Sequence, residues 1–215
     1  FSTIETKGTK PSMRSGHSST RISEHEFLVF GGTGESKCYN DTFLFDRRMF
    51  TILLVLLTTG NYSWTELKTT GEAPSPRFFH TANATSDNIV VFYGGTSTEG
   101  HITSDLYSFD INKQLWRSHE LKAMGGMEET SDLGARCQHT VDLNPSRSKL
   151  FVFGGRRTEI VPSSKKSVYK TRSVYVNDVS IIFHLPQFGQ YGPPIRPRTS
   201  KKEKKDKSGK KEALK

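Results

Sequence analysis

Three short, almost continuous apolar runs mark the chain at residues 27–30, 89–93 and 150–153, and a pair of glycines follows each run directly. Runs this short, bounded by glycine, predict β-strands, because a buried helix needs about ten residues or more. Strict alternation of apolar and polar residues is missing from them, which is typical of strands covered on both faces. The pattern therefore predicts an all-β fold in which each inner strand lies between two neighbouring layers.

The residues around these runs recur with a fixed spacing. An aromatic residue, a glycine, a proline, an Arg-x-x-His motif and the glycine pair reappear 63 positions after their first occurrence. A third unit keeps the tryptophan, the Arg-x-x-His spacing and the glycine pair. Such a period indicates a repeat architecture, in which each unit buries its apolar surface against its neighbours. The recurring residues that we expect to be structural are Arg14, His17, Gly31, Gly32, Trp64, Arg77, His80, Gly94, Gly95, Trp116, Arg136, His139, Gly154 and Gly155.

Each unit reads as four short strands. The first follows the histidine, the second is the apolar run, the third begins with Asp41, Asp105 or Asp178, and the fourth begins with Trp64 or Trp116, while the third unit leads into the tail without a tryptophan. The first unit holds twelve more residues between its third and fourth strands than the second unit does. Removing them shortens the period from 63 to 51 residues.

The order Arg-x-x-His, apolar strand, Gly-Gly, Asp strand and Trp resembles the Kelch repeat, whose period is roughly 50 residues. The resemblance covers residues 1–186 and implies a Kelch-type β-propeller with three four-stranded blades, at about residues 1–63, 64–115 and 116–186. Phe1 stands where later units have tryptophan. Propellers close with about 4 to 8 blades, so we expect an incomplete propeller cut from a longer one. Pairing of two chains into a ring of about six blades is the weaker alternative, and the oligomeric state stays open.

The repeated residues have structural explanations. Glycine lacks a Cβ, so it adopts positive φ and lets a neighbouring backbone approach closely. Trp64 and Trp116 offer large apolar surfaces that wedge between adjacent sheets, with an indole N–H that can reach a carbonyl. Three matching histidines suggest a metal site at first sight, but equivalent residues of successive blades lie on different sheets. We therefore predict that the repeated arginines, histidines and aspartates tie turns and strands together.

The positive charge of the chain is concentrated at its end. Of the formal net charge of +9, residues 196–215 carry +7, with ten Lys or Arg against three acidic residues. The remainder is nearly neutral and lacks the basic face that phosphate binding requires. Residues 187–215, rich in Pro and then in Lys, are predicted to be a disordered tail. Weak contact with nucleic acid, or nuclear import, would involve only this tail, and a solvated linker is the equal alternative.

Two insertions indicate a binding face. One precedes His139, and the other lies between Gly155 and Asp178. In an up-and-down blade both connections emerge at the same end, and insertions gathered on one face of a repeat array usually mark the binding side. The second insertion is basic, which predicts an acidic protein partner; the alternative is that both loops are only long and solvated. The candidate partner-binding residues are Arg156, Arg157, Lys165, Lys166, Lys170 and Arg172 in the basic insertion and Glu128 and Glu129 in the acidic one.

The twelve-residue insertion, within about residues 47–63, is apolar from Met49 to Leu57. This is unusual for a surface connection, and the run is too short to span a membrane, which takes roughly 20 apolar residues. Two explanations stay open. The segment is a retained intron, or it is an interaction segment or an apolar hairpin that folds back on the blade.

The resemblance implies a non-catalytic scaffold or adaptor that binds another protein through one loop face, with no enzyme activity and no cofactor or metal. Cys38 and Cys137 lie far apart without CxxC spacing, so we expect a reducing, cytoplasmic location. A second interpretation is the propeller domain of an oxidase resembling galactose oxidase, but its clustered Tyr, His and Cys are not identifiable here. A third is a nuclear or nucleic-acid-associated protein that acts through the basic tail. No membrane segment is predicted.

Overall fold

The computed structural model describes residues 3–51, 58–85, 88–120, 134–144, 146, 149–162 and 169–182. Every regular element in these ranges is a β-strand, which confirms the predicted all-β fold. No helix of the length and hydrophobicity needed to cross a membrane occurs in this part of the chain. The predicted tail at residues 187–215 lies outside the described residues.

The described residues form seventeen strands. In order, they are β1 (Lys7–Gly8), β2 (Ser18–Arg21), β3 (Glu26–Phe30), β4 (Thr42–Asp46), β5 (Met49–Thr51), β6 (Thr58–Gly60), β7 (Ser63–Glu66), β8 (Thr70–Gly71), β9 (Thr81–Ala84), β10 (Ile89–Tyr93), β11 (Leu106–Asp110), β12 (Leu115–His119), β13 (Thr140–Leu143), β14 (Leu150–Phe153), β15 (Arg156–Pro162), β16 (Tyr169–Tyr175) and β17 (Val179–Ile182).

Three of the sheets repeat one antiparallel meander. Sheet one has the order β1-β7-β4-β3-β2, sheet two has the order β8-β12-β11-β10-β9, and sheet three has the order β13-β14-β17. The short strands β1 and β8 run parallel to the tryptophan strands β7 and β12 and extend those two sheets by one position. These sheets have the arrangement that the resemblance implies for blades, although sheet three shows three strands among the described residues and not the predicted four.

The tryptophan strand closes a sheet rather than opening one. Trp64 lies opposite Phe45 in sheet one, and Trp116 lies opposite Phe109 in sheet two. The sequence repeat units begin at these tryptophans, whereas the sheets end with them. Each chain segment that follows a tryptophan therefore links one sheet to the next.

The inner apolar strands are buried because neighbouring sheets cover both of their faces. We call the side of a sheet that looks toward the following sheet its front face, and the other side its back face. Alternate residues of β10 point to the two sides: Val90 and Phe92 pack toward sheet one, and Val91 and Tyr93 pack toward sheet three. All four side chains are at most 2% exposed. A continuous apolar run thus indicates a strand that is buried on both faces.

Trp116 is the centre of the seam between sheets one and two. Its ring centroid lies 4.8 Å from those of Phe30, Phe92 and Phe109, in tilted arrangements that aromatic pairs favour. The side chain is 1% exposed. In contrast to the sequence expectation, its indole N–H is buried without a hydrogen-bond partner among the described residues. Trp116 therefore stabilises the seam by packing.

The two ends of the apolar insertion pair with each other as strands. Strands β5 and β6 pair with each other in antiparallel register and with no other described strand. The hairpin extends the connection between β4 and β7, while residues 52–57 between its strands lie outside the described residues. The structure shows only that the two ends of the segment pair with each other, and all of the explanations from the sequence stay hypotheses.

Replacing Gly31 by Ala tests the close approach of the sheets. Gly31 has φ of +66°, and a Cβ there would lie 2.7 Å from the Arg77 carbonyl oxygen and 3.1 Å from the His80 ring. Gly100 is the matched control, because its φ is +83° but a Cβ would meet nothing within 4 Å. We expect Gly100→Ala to lower the free energy of unfolding by about 1 kcal/mol from backbone strain alone. Gly31→Ala should cost about 2 kcal/mol more, since the sheets must separate.

Urea denaturation of the two variants and the wild type measures this difference. Equal losses for the two variants would mean that the sheets do not meet at the glycine pair.

Candidate functional site

One arginine in each unit joins the connection before its sheet to the glycine turn within it. Arg77 donates to both carboxylate oxygens of Asp105 at 2.5 and 2.8 Å and to the Gly94 carbonyl oxygen at 3.0 Å. Arg14 makes the same contacts with Asp41 and Gly31. The fixed fork of the guanidinium suits two oxygens of one carboxylate, which explains why arginine and aspartate recur together.

The third unit repeats this network, and its arginine is less exposed than those of the first two units. Arg136 donates to Asp178 at 3.0 and 3.3 Å and to the Gly154 carbonyl oxygen at 3.1 Å. The Arg136 side chain is 1% exposed and has lost its contact with water. These hydrogen bonds replace the ones that the guanidinium would make to water in the unfolded chain. Hydrogen bonding from Arg136, together with its charge, lowers the pKa of Asp178. The repeated arginines are therefore occupied by structural contacts.

The same turns carry hydrogen bonds from sheet to sheet. The amide of Gly32 donates to the Arg77 carbonyl oxygen at 2.8 Å, and the amide of Gly95 donates to the Arg136 carbonyl oxygen at 2.9 Å. A second series joins residues just before the histidines: the Gln138 amide donates to the Phe79 carbonyl oxygen at 3.0 Å. These main-chain bonds tie the three sheets into one array.

The buried histidines also bridge neighbouring sheets. His80 Nε2 shares a hydrogen bond with the Ser18 hydroxyl at 2.8 Å, and His139 Nε2 shares one with the Thr81 hydroxyl at 3.0 Å. Burial, followed by the charge of the neighbouring arginine, lowers the pKa of His80 to about 3 and that of His139 to about 4. Both rings are therefore neutral hydrogen-bonding groups at neutral pH.

The basic insertion forms a hairpin of its own, which we call the basic hairpin (β15 and β16). Its seven residue pairs run from Arg156–Tyr175 to Pro162–Tyr169. The backbone of Arg156 forms two hydrogen bonds with that of Cys137, which fixes the base of the hairpin beside the Arg136 network. The hairpin therefore rises from the end of sheet three that carries the glycine turns.

Glu159 is shared by two arginines of the basic hairpin. Arg157 donates to Glu159 Oε1 at 3.0 Å, while an Nη2 atom of Arg172 lies 3.8 Å from Glu159 Oε2. The second distance is too long for a hydrogen bond. The Arg172 side chain is 66% exposed. Its guanidinium donors are thus open to a further anionic group.

The structure brings together only part of the predicted partner-binding set. Arg156, Arg157 and Arg172 lie on the basic hairpin, and Lys170 takes part in its β16 ladder. The Nε atom of Arg156 is buried at the base of the hairpin. The predicted residues Lys165, Lys166, Glu128 and Glu129 lie outside the described residues.

Sequence reasoning missed the hydroxyl partners of the histidines and the unusual backbone beside them. Ser18 and Thr81 each follow a repeated histidine, so a small hydroxyl residue at a shift of 63 positions was the available signal. Phe79 and Gln138 have φ of 57° and 58°, a region that bulky side chains rarely adopt. Gly16 holds the same position in the first unit with φ of 64°. The residue type of Phe79 does not predict this backbone conformation.

Metal-ligating residues are not gathered anywhere in the described ranges, where no group of three or more His, Cys, Asp or Glu could hold an ion. Cys38 and Cys137 are both free thiols. The polar groups that recur most regularly are those already bound within and between sheets.

Acidification should weaken the fold through the bridging histidines. In the unfolded chain these groups titrate near 6.5, whereas in the folded chain the pKa of His80 is about 3 and that of His139 about 4. Between pH 6.5 and about 4 the unfolded state binds more protons, so the free energy of unfolding falls as the pH falls. Each histidine contributes up to about 1.4 kcal/mol per pH unit in this window.

Urea midpoints at about pH 7.5 and about pH 5 for the wild type and for His80→Gln/His139→Gln measure this effect. The double variant should keep only a smaller loss on acidification, from His119, whose pKa burial also lowers to about 4, and from His17, whose pKa burial lowers as well. An undiminished loss in the variant would assign the effect to other groups.

Comparison with known proteins agrees with this repeated geometry. The sequence model of the KLHDC2/KLHL20/DRC7 Kelch-repeats domain matches residues 1–130. The Rho GTPase-activating protein gacHH of Dictyostelium discoideum is 30% identical over 123 residues, which are 53% of this chain and 7% of that protein. The Rab9 effector protein with kelch motifs of Xenopus laevis is 26% identical over 196 residues, covering 69% of this chain and 51% of that protein.

The chain thus spans no more than about half the length of these relatives. Among solved structures, a chain in the cryo-EM structure of RAG in complex with one melted RSS and one unmelted RSS resembles it with a TM-score of 0.50. That likeness covers 82% of this chain and 55% of the other at 13% identity, and it concerns the fold alone. Since the family model matches more than half of the sequence, and the described sheets repeat one arginine–aspartate–glycine network, the chain belongs to the Kelch-repeat family.

Proposed function

We propose that this chain is a non-catalytic interaction module that binds an acidic segment of a partner protein through its basic hairpin. The observation that carries the proposal is a paired, two-stranded projection that adds nothing to the three sheets. It forms one of the two insertions that the sequence predicts on one face of the array, and functional residues are often found on such loops above a rigid scaffold.

The charge of the hairpin suits a carboxylate ligand. Arg157 and Arg172 face a single carboxylate, that of Glu159, so one positive charge is left over. Arg172 is mostly exposed and can offer two parallel N–H groups to a carboxylate of the partner. Partial exposure of the site makes the contact sensitive to salt.

The other face of the same hairpin supports a protein rather than a small anion as the ligand. Tyr175 is 79% exposed there, and Thr158 and Ser173, also exposed, form a cross-strand pair beside it. Exposed tyrosine with neighbouring hydroxyl groups is a composition that protein interfaces favour. A partner segment can therefore contact both charge and apolar surface along the hairpin.

The repeated polar residues support an absence of catalysis in this proposal. The arginines and aspartates that recur in each unit, and the histidines His80 and His139, are engaged in structural hydrogen bonds. Burial keeps His80 and His139 neutral down to a pH far below the range in which general bases work. The name of one relative, a Rab9 effector, agrees with an interaction role.

Charge reversal on the hairpin tests the proposal. The variant Arg157→Glu/Arg172→Glu should bind a fluorescent poly-glutamate peptide at least about tenfold more weakly than the wild type, because its attraction becomes repulsion. The matched control is Arg21→Glu/Lys113→Glu, which changes the net charge equally at the opposite end of the sheets, where Arg21 ends β2 and Lys113 lies between β11 and β12. Arg21 and Lys113 are both exposed.

Fluorescence anisotropy at low and moderate salt gives the three affinities. The control should bind like the wild type, and affinity-purified partners from cells should follow the same order. Equal weakening in both variants would mean that only the net charge matters, and the hairpin would lose its assigned role.

A further inference from the structure

The two strands of the basic hairpin differ in the backbone groups that they offer at their outer edges. The amide of Val176 donates to the Gly155 carbonyl oxygen at 3.0 Å, while the amide and carbonyl groups of Arg156 bond Cys137. Arg156 and Tyr175 are therefore a pair without mutual hydrogen bonds, and such pairs alternate with hydrogen-bonded ones along an antiparallel ladder. Every second residue of each strand thus points its N–H and C=O groups away from the partner strand.

The outer edge of β15 is blocked at both ends. At its base the outward groups of Arg156 are already bonded to Cys137. At its other end Pro162 has no amide hydrogen to donate. Only the outward groups of Thr158 and Ile160 remain between these positions, so this edge offers little to a further strand.

The outer edge of β16 offers a longer row of outward groups. These belong to Tyr169, Thr171, Ser173 and Tyr175. The outward groups of Ser173 and Tyr175 have no backbone partner among the described residues, and β16 pairs there only with β15. Unpaired N–H and C=O groups in a row are a template for another strand. The edge of β16 is therefore suited to strand addition.

The first two units show that a following sheet does not cover this edge. Cys38 and Ile102 take the place of Tyr175 there, each in a single pair at the matching turn. Sheet two follows the first of them and sheet three the second, yet neither residue has a backbone hydrogen-bond partner among the described residues. The arginine before the following sheet instead donates its amide to the next residue, Tyr39 or Thr103. A sheet that follows the third unit is therefore expected to leave β16 free.

The two faces of the hairpin differ in charge. Arg157, Glu159 and Arg172 share one face, as their ion pairs show. Ser173 and Tyr175 lie on the other face, because successive side chains of a strand alternate. A strand beside β16 would therefore place every second side chain near the arginines and the others near Tyr175.

The charge of β16 favours an acidic strand over a second copy of this one. The strand contains Lys170 and Arg172 and no acidic residue. Two copies that paired along this edge would bring like charges together, and like charges directly opposite each other destabilise a sheet. An acidic strand brings opposite charges to the same positions.

We propose that the acidic segment of the partner binds as an added β-strand along the outer edge of β16. This inference rests on the proposed function, since it describes how the basic hairpin holds that segment. In this mode main-chain hydrogen bonds give affinity, and side chains at alternate positions give specificity. The segment that fits is extended, with Glu or Asp at every second position facing the arginines and apolar or aromatic residues between them, facing Tyr175.

Backbone methylation of a peptide tests the added strand on the wild-type chain. A short fluorescent peptide of alternating glutamate and valine is made in two forms, with N-methyl groups on all of its glutamates or on all of its valines. In an added strand only one of these two sets of amides points toward β16. We expect the Kd values of the two forms, measured by fluorescence anisotropy, to differ at least about tenfold.

Proline on each edge gives the matched test on the protein. Ser173 and Thr158 are exposed cross-strand partners, and the amides of both point away from the ladder. Proline at such a position removes no ladder hydrogen bond, but its ring takes the place of the outward amide hydrogen. We expect Ser173→Pro to bind the unmethylated peptide at least about tenfold more weakly than the wild type, and Thr158→Pro at most about twofold. Protection of the Val174 amide from hydrogen exchange checks that the hairpin persists in both variants.

The outcomes separate this inference from the proposed function. If both methylated forms bind equally and Arg157→Glu/Arg172→Glu still weakens both, the segment is held by charge alone and the added strand is wrong. If charge reversal leaves the affinity of every form unchanged, it is the proposed function that fails. A wild-type chain with twice the mass of 24.2 kDa by light scattering, which Ser173→Pro returns to 24.2 kDa, would mean that a second copy occupies the edge, and this too would overturn the inference.

Discussion

The fold depends on the burial of strands that are apolar on both faces. A single antiparallel sheet can bury one face and leave the other in water, but the middle strand β10 has no polar side to offer. Only a sheet on each side satisfies it. The Kelch-repeat array is the consequence, because each sheet meets its neighbours through the same surfaces and can repeat the contact.

This constraint also explains how the polar residues are used. Because neighbouring sheets pack closely, the backbone groups of their turns come together. Amide N–H groups of one turn therefore donate to carbonyl oxygens of the next sheet and not to water. Histidine serves as a bridge because its neutral ring can be buried and still bond a hydroxyl group. The arginine–aspartate pairs hold the glycine turns in place beside the seam. In the proposed function the connections bind the partner, and the basic hairpin is the largest of those that the structure describes.

The sequence predicts the seam better than it predicts the connections. Apolar runs that end in glycine pairs indicate strands that are buried on both faces. The inner strands and the all-β fold could therefore be predicted from them. The strands of the basic hairpin mix charged, hydroxyl and apolar residues without a clear period, and the segment reads as a loop. The left-handed backbone of Phe79 is set by the neighbouring sheets and not by the residue itself. The burial of a tryptophan is likewise set by the neighbouring sheets and not by the residue type. Trp64 is half-buried, although its counterpart Trp116 is 1% exposed.

Amide hydrogen exchange at the turns tests the central claim most directly. The amides of Gly32, Phe79, Gly95 and Gln138 lie in connections, which ordinarily exchange fast, but their acceptors belong to a neighbouring sheet. Sealing of the sheets by one another predicts that these four exchange as slowly as the inner strands. The Gly100 amide, whose acceptor lies in its own turn, should exchange fast. If all five exchanged at the rate of Gly100, the sheets would not be joined as described.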